Sequence, residues 1–212
     1  MANVEANLNS ASLKRLAEMS GCARVAGDAY QEIRAQFVGQ LTDVLNETIG
    51  VMQHGRRKIL KAEDLTEVLR ARGIKHYLVT GKIEVVKSKE ALLKAKKSGG
   101  GGSVFIAPTK FKRVVMDYGM GKEIKYSADF LANFQVYMEQ YMITKLAAAC
   151  QAAFQLGGGR QTVTAKDIKY VFSFGCNTVQ SSTMVQIVKA KAKGKAKGKA
   201  KSKAKSKAKA KK

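Results

Sequence analysis

The sequence predicts an all-α chain built from two copies of a short, long, short helical unit. Three observations carry this. The 212 residues include one Pro and no Trp, with 45% apolar side chains, which supplies material for folded cores and little for a loop-rich chain. Apolar residues recur at spacings of three and four through two stretches of roughly 25 residues each, the signature of long amphipathic helices. Finally, a segment of the first half recurs in the second at an offset of 103 residues.

Taken in order, Leu13 and Leu16 open a short amphipathic helix that breaks around Gly21, and Cys22 to Ala26 follows as a loop holding Arg24. Tyr30, Ile33, Phe37, Val38, Leu41, Val44, Leu45, Thr48 and Met52 then mark one face of a long helix ended by Gly55. Arg56 to Lys61 reads as a basic loop. Glu63 and Asp64 fall in the first turn of a short helix carrying Leu65, Val68 and Leu69, where the positive end of the helix dipole favours acids, and Gly73 closes it.

The second half repeats the plan. Phe111, Val114 and Val115 make a short helix, and Gly119 to Tyr126 a basic loop with Lys122 and Lys125. A long helix carries Phe130, Phe134, Tyr137, Met138, Tyr141, Met142, Leu146, Ala149, Cys150 and Ala153, and Gly157 to Gly159 end it. After Arg160, Thr164-Ala165-Lys166-Asp167 reads as a capping box, with Thr as the cap and the acid answering, ahead of a short helix with Ile168, Val171 and Phe172. Arg57-Lys58-Ile59-Leu60-Lys61-Ala62-Glu63-Asp64 aligns with Arg160-Gln161-Thr162-Val163-Thr164-Ala165-Lys166-Asp167 at Arg, Ala and Asp. In both copies the Asp lies seven residues after the Arg, so Arg57 with Asp64 and Arg160 with Asp167 are expected to pin the loops between them.

Charge sets the class of partner. Lys and Arg number 39 against 16 Asp and Glu, a formal charge of +23, and the segment Lys189 to Lys212 holds 13 Lys and no acid. The remainder still carries +10, so a polyanion is the expected partner and duplex nucleic acid the first candidate. No apolar run approaches the roughly 18 residues of a membrane span, and the opening residues lack the regions of a signal peptide, so a soluble, unsecreted protein without a membrane partner is expected. Lys94 to Ser103 is a flexible Gly-rich linker by composition. The expected organisation is a short tail over 1–11, folded halves over 12–81 and 108–175, a connector over 82–107, an extension over 176–188 and a disordered Lys tail over 189–212. Cys22, Cys150 and Cys176 form no CxxC motif and read as reduced core thiols. His54 and His76 are isolated, and Gly157 to Gly159 has neither a preceding strand nor a following GK[ST], so no enzyme, catalytic residue, metal, cofactor or small-molecule substrate is expected.

A long helix with two short neighbours leaves much of its apolar face uncovered, but two such units cover each other. Crossing the long helices head to tail buries both faces and sets the first loop of one copy beside the second loop of the other. Those loops are the basic ones, so two cationic edges are expected at opposite ends.

The residues from Ser12 to Gly81, including GCARVAGDAYQEI and GRRKILKAEDL, resemble histone four without a gap. Those from Lys110 to Phe172, including KFKRVVMDYG and GGRQTVTAKDIKY, are similar to histone three, with a shorter first-loop region and extra glycines in the second loop. The fold class this implies is two histone folds in one chain, pairing as an intramolecular handshake dimer. Fused in this order, the halves resemble the delta-gamma type histone doublets of giant DNA viruses of the marseillevirus type. Two departures stand out: nothing before Leu13 is basic, and the Lys-rich tail lies at the C-terminus, where it resembles linker-histone tails. The free histone-three tail is replaced by the connector, whose Lys87 to Lys97 is either a helix docked on DNA or a tether.

The resemblance implies roles. Arg24 matches the first-loop arginine that enters the minor groove, and Lys125 holds the equivalent place where the family usually has Arg, keeping charge but losing the planar fork. Arg57 and Lys58 match second-loop phosphate contacts, Lys14 and Arg15 the basic pair of the first helix, and Arg113 a first-helix arginine. Arg34, Arg56, Lys110, Lys112, Lys122 and Arg160, with Lys189, Lys191, Lys193 and Lys195 of the tail, complete the expected DNA contacts. Arg160, Asp167 and Tyr170 match an interface through which a second copy joins, and a doublet resembling the other two core histones would complete an octamer. The implied function is sequence-independent packaging of duplex DNA in nucleosome-like particles, in the chromatin of a viral factory, a virion interior or a host nucleus. The alternatives are a histone-fold scaffold subunit of a transcription complex and a DNA-coating protein driven by its tail.

Overall fold

Each half of the chain folds around one long helix that its own short helices do not cover. The computed structural model describes residues 7–75, 78–79, 84–86, 88, 90–91, 93, 103–118 and 124–173. Lys122, Lys189, Lys191, Lys193, Lys195, His76, Cys176, the Gly-rich linker, the extension and the Lys tail lie outside them.

The first half comprises α1 (Ser10–Met19), β1 (Arg24–Val25), α2 (Ala29–His54), β2 (Ile59–Leu60) and α3 (Ala62–Ala71). Asn9 caps α1, its side chain accepting from the Ser12 N–H at 2.9 Å, and Leu8 is already fully buried, so packing begins ahead of the boundary expected at residue 12. Along α2 the expected face is buried from Ile33 to Met52, with Ile49 added, while Tyr30 and Val38 are half-buried. That helix ends at Gly55 as expected, but the left-handed residue beyond it is Arg56, at φ 51°. The repeat places Gly159, at φ 85°, opposite Arg56 in the second half. Gly157 is required for another reason: a Cβ there would lie 2.3 Å from the Ala153 carbonyl oxygen.

The second half comprises α4 (Pro108–Tyr118), β5 (Lys125–Tyr126), α5 (Ala128–Gln155), β6 (Thr162–Val163) and α6 (Ala165–Ser173), with β3 (Glu84–Val85) and β4 (Ser103–Val104) in the connector. The loops expected as irregular contain these two-residue strands because parallel pairing across the halves satisfies backbone groups that would otherwise be left open. β1 pairs with β6, and β2 with β5. Helix α2 packs on its own α1 and α3 and also on α4, α5 and α6, while α5 packs on α4 and α6 and also on α1 and α3. Phe37 of α2 meets Phe111 of α4 edge-on at 6.4 Å, and Phe111 meets Phe134 of α5 at 5.7 Å, so one aromatic cluster joins the halves. Both lie in one compact unit, Met1–Asn177.

Both ends of the connector are packed, while most of Lys87 to Lys97, expected as a docked helix or a tether, lies outside the described residues. Val86, Val104, Phe105 and Ile106 are buried, and β3 and β4 pair in parallel. What holds them is a polar face of α5 that apolar periodicity does not reveal. Glu139, buried, accepts from the Phe105 N–H at 2.6 Å, the Ile106 N–H at 3.0 Å and the Gln135 amide at 2.9 Å, and the Gln135 amide also donates to the Ile106 carbonyl at 2.7 Å. Asn133 accepts from the Val79 N–H at 2.7 Å.

Burial pushes the Glu139 carboxyl up to about 7, against the Gln135, Phe105 and Ile106 donors and nearby Arg15, which favour its charged form. A carboxyl that holds its proton longer in the folded state contributes stability fully below the ordinary carboxylate range and loses it as pH rises through about 7. Glu139→Ala strands three buried donors and is expected to cost about 2–3 kcal/mol in urea unfolding. Between about pH 5 and about pH 8, wild type should lose stability relative to Glu139→Gln; parallel pH profiles would refute the assignment.

Candidate nucleic-acid interface

Reciprocal loop pairing builds two edges. At the first, Arg24 lies opposite Thr162 and Val25 opposite Val163, and the Ala26 N–H donates to the Val163 carbonyl at 2.9 Å. Arg24 and Lys14 are exposed there, beside an open cleft of about 360 Å³ that Glu18, Cys22, Tyr30 and Thr162 also line. At the second edge, Ile59 lies opposite Lys125 and Leu60 opposite Tyr126, with the Lys125 N–H donating to the Lys58 carbonyl and the Ser127 N–H to the Leu60 carbonyl, each at 3.1 Å. Arg56, Lys58 and Lys125 are exposed at this edge.

Helix ends reinforce both. Helices α2 and α6 begin just after β1 and β6, and α3 and α5 just after β2 and β5, so each edge gathers two helix N-termini, whose free N–H groups and positive dipole ends suit anions. At α5, Ser127 caps by accepting from the Phe130 N–H at 3.1 Å.

The loop-pinning pairs are both present. Arg57 grips Asp64 through two hydrogen bonds, of 3.0 and 2.5 Å, and Asp64 also accepts from the Lys61 N–H at 2.9 Å. Burial alone would raise the Asp64 carboxyl, but the Arg57 and Lys61 donors outweigh it and hold it below the usual range. Arg160 bonds Asp167 at 2.7 Å, and the Thr164 N–H donates to the same carboxylate at 2.8 Å. That last bond is the acid's half of the expected capping box, while the Thr164 hydroxyl accepts from Arg160 and donates to Asp167.

Other expected contacts divide. Lys112 and Arg113 are exposed on α4, and Lys110 is half-buried. Arg34 donates to the Leu8 carbonyl at 2.9 Å and to Ser10 Oγ at 3.0 Å. Arg15 is half-buried, donates to Ser12 Oγ at 3.3 Å and lies close enough to favour a charged Glu139. Tyr170 is 45% exposed, and so are two residues that periodicity overlooked at the end of α5, Phe154 at 53% and Leu156 at 70%. Among the described residues no three His, Cys, Asp or Glu converge to hold a metal, and no helix is long and apolar enough to cross a membrane.

A family model described as TATA box binding protein associated factor (TAF) matches residues 6–70, within the first half. The histone H4 of Euplotes crassus is 31% identical over 62 residues, 29% of this chain, and the match spans 58% of that protein's length. Among solved structures, the histone from Methanopyrus kandleri matches with a TM-score of 0.52 at 17% identity, covering 79% of this chain and 94% of that one. A match of that extent cannot fit within either half, so a single chain of that protein spans both. The likeness is one of fold, the histone fold.

The pinned loops set two expectations. Asp64→Asn should lower the unfolding midpoint more than Asp167→Asn, because Asp64 is 3% exposed and Asp167 11%. Equal losses in thermal melts would contradict this. Arg56→Gly should leave the midpoint unchanged or raise it, since Gly removes left-handed strain of about 1 kcal/mol; a lowered midpoint in thermal melts would contradict this.

Proposed function

We propose that this histone-fold chain packages duplex DNA without reading its sequence, as the core of nucleosome-like particles. The observation that carries the reading is the reciprocal loop pairing, which gathers exposed cations and paired helix N-termini at two separate edges. An edge of this kind suits one phosphate cluster, and two edges suit successive turns of a single duplex. Contacts to phosphate position without specifying sequence, and wrapping of the histone-octamer kind, about 146 bp in about 1.65 turns, uses just such contacts.

In this reading Arg24 enters the minor groove at one edge and Lys125 at the other, with Lys14, Arg56, Lys58, Lys112 and Arg113 on phosphates. The exposed apolar residues Phe154 and Leu156, with Tyr170 and the Arg160–Asp167 pair, form the face on which a second copy docks. A doublet resembling the other two core histones completes the particle, the folded halves run to residue 81, opening ahead of residue 12, and over 108–175, and the Lys tail neutralises flanking DNA. The site of action is the chromatin of a viral factory, a virion interior or a host nucleus.

A scaffold role in a transcription complex is the second reading, and the TAF match over residues 6–70 favours it. It leaves the second half's exposed Lys125, Lys112 and Arg113 without a purpose. Binding of the full chain to random-sequence duplex, measured against salt, separates the two. Each neutralised phosphate adds about −0.9 to the log–log slope, so packaging predicts that the triple variant Lys14→Ala, Lys58→Ala, Lys112→Ala is shallower than wild type by about 2.7. A wild-type slope near zero would support the scaffold. A discrete nuclease-protected fragment that needs the partner doublet and survives deletion of Lys189 to Lys212 is also expected; a smear abolished by that deletion would mean coating by the tail.

A further inference from the structure

Cys22 and Cys150, expected as independent core thiols, meet across the two halves. Cys22 lies in the loop between α1 and β1, and its Sγ is 3.2 Å from Ser20 Oγ and 3.4 Å from the carbonyl oxygen of Leu146. Leu146 stands one turn before Cys150 on α5, so the Cys22 sulfur lies against the turn that carries the Cys150 thiol. Neither cysteine is in a disulfide. Although Cys22 is only 6% exposed, it lines the open cleft of about 360 Å³ at the Arg24 edge, and Cys150 is half-buried. No metal accounts for the pairing, since among the described residues no third ligand completes a site.

We infer that Cys22 and Cys150 are a modification site, a dithiol that a small peroxide closes to a disulfide tying the first half's loop to the second half's long helix. The Cys150 sulfur attacks one peroxide oxygen, the O–O bond breaks, and Cys150 becomes a sulfenic acid with release of water. The Cys22 sulfur then attacks the Cys150 sulfur, the S–O bond breaks, and a second water leaves with the Cys22 proton. Two thiols lose two electrons and one peroxide gains them.

The contact with Cys150, and then burial, push the Cys22 thiol up, which keeps it protonated and leaves the more exposed Cys150 to meet the oxidant first. The disulfide would sit directly behind the loop that presents Arg24. Oxidation thus sets how firmly the halves are joined rather than how much cation they display.

The test treats the full chain with hydrogen peroxide, alkylates remaining thiols and maps digests by mass spectrometry. A Cys22–Cys150 cross-linked peptide, two hydrogens lighter than its parts and reversed by dithiothreitol, is expected, with a melting midpoint about 10 °C above that of the reduced protein. Cys22→Ser and Cys150→Ser should each abolish the cross-link. Cys150 recovered as sulfinic acid with Cys22 alkylated, a cross-link running to Cys176, or both thiols alkylated in full would each overturn the inference, and the wild-type map alone decides among these.

Discussion

The constraint on which everything else depends is the length of the two central helices. A 26-residue helix and a 28-residue helix each present more apolar surface than two short neighbours can hide. The uncovered faces bury each other: Phe37 enters the aromatic cluster of the second half, and α5 receives α1 and α3 of the first. Once the long helices cross, the chain has no freedom in where its loops lie. The first loop of each half is set against the second loop of the other, and β1 with β6 and β2 with β5 record that register.

The candidate interface is a by-product of this closure. A residue such as Arg24 belongs to a candidate edge because Thr162 of the other half stands beside it, and Lys58 because Lys125 does. The cations then divide by what lies near them. Arg57 and Arg160 are engaged by carboxylates and hold loop shape, while Arg24, Arg56, Lys58 and Lys125 lie exposed. In the proposed function, the first group fixes the geometry in which the second meets a polyanion. Salt should therefore act on the exposed set far more than on the buried Asp64 pair.

Much of this was legible in the residues. Spacing located all six described helices, and the repeated Arg and Asp foretold both ion pairs, because helical period and local spacing are properties of single segments. The polar face of α5 was not legible. Gln135 and Glu139 look like solvent-facing residues until the connector is known to lie on them, and nothing in their own spacing signals a partner some thirty residues back. Arg34 and Arg15, expected as DNA contacts, also bond within the chain, to Leu8, Ser10 and Ser12, which their charge does not signal. The contact of Cys22 with the turn of α5 that carries Cys150 is tertiary in the same way.

The central claim is that reciprocal pairing of the halves creates two edges that together receive one duplex. Amide hydrogen exchange of the full chain, with and without random-sequence duplex DNA, tests it most directly. The account predicts slow exchange at the Ala26, Lys125 and Ser127 amides in the free chain, with further slowing at both edges when DNA binds. Fast exchange at these amides in the free chain, or slowing on DNA confined to Lys189 to Lys212, would contradict it.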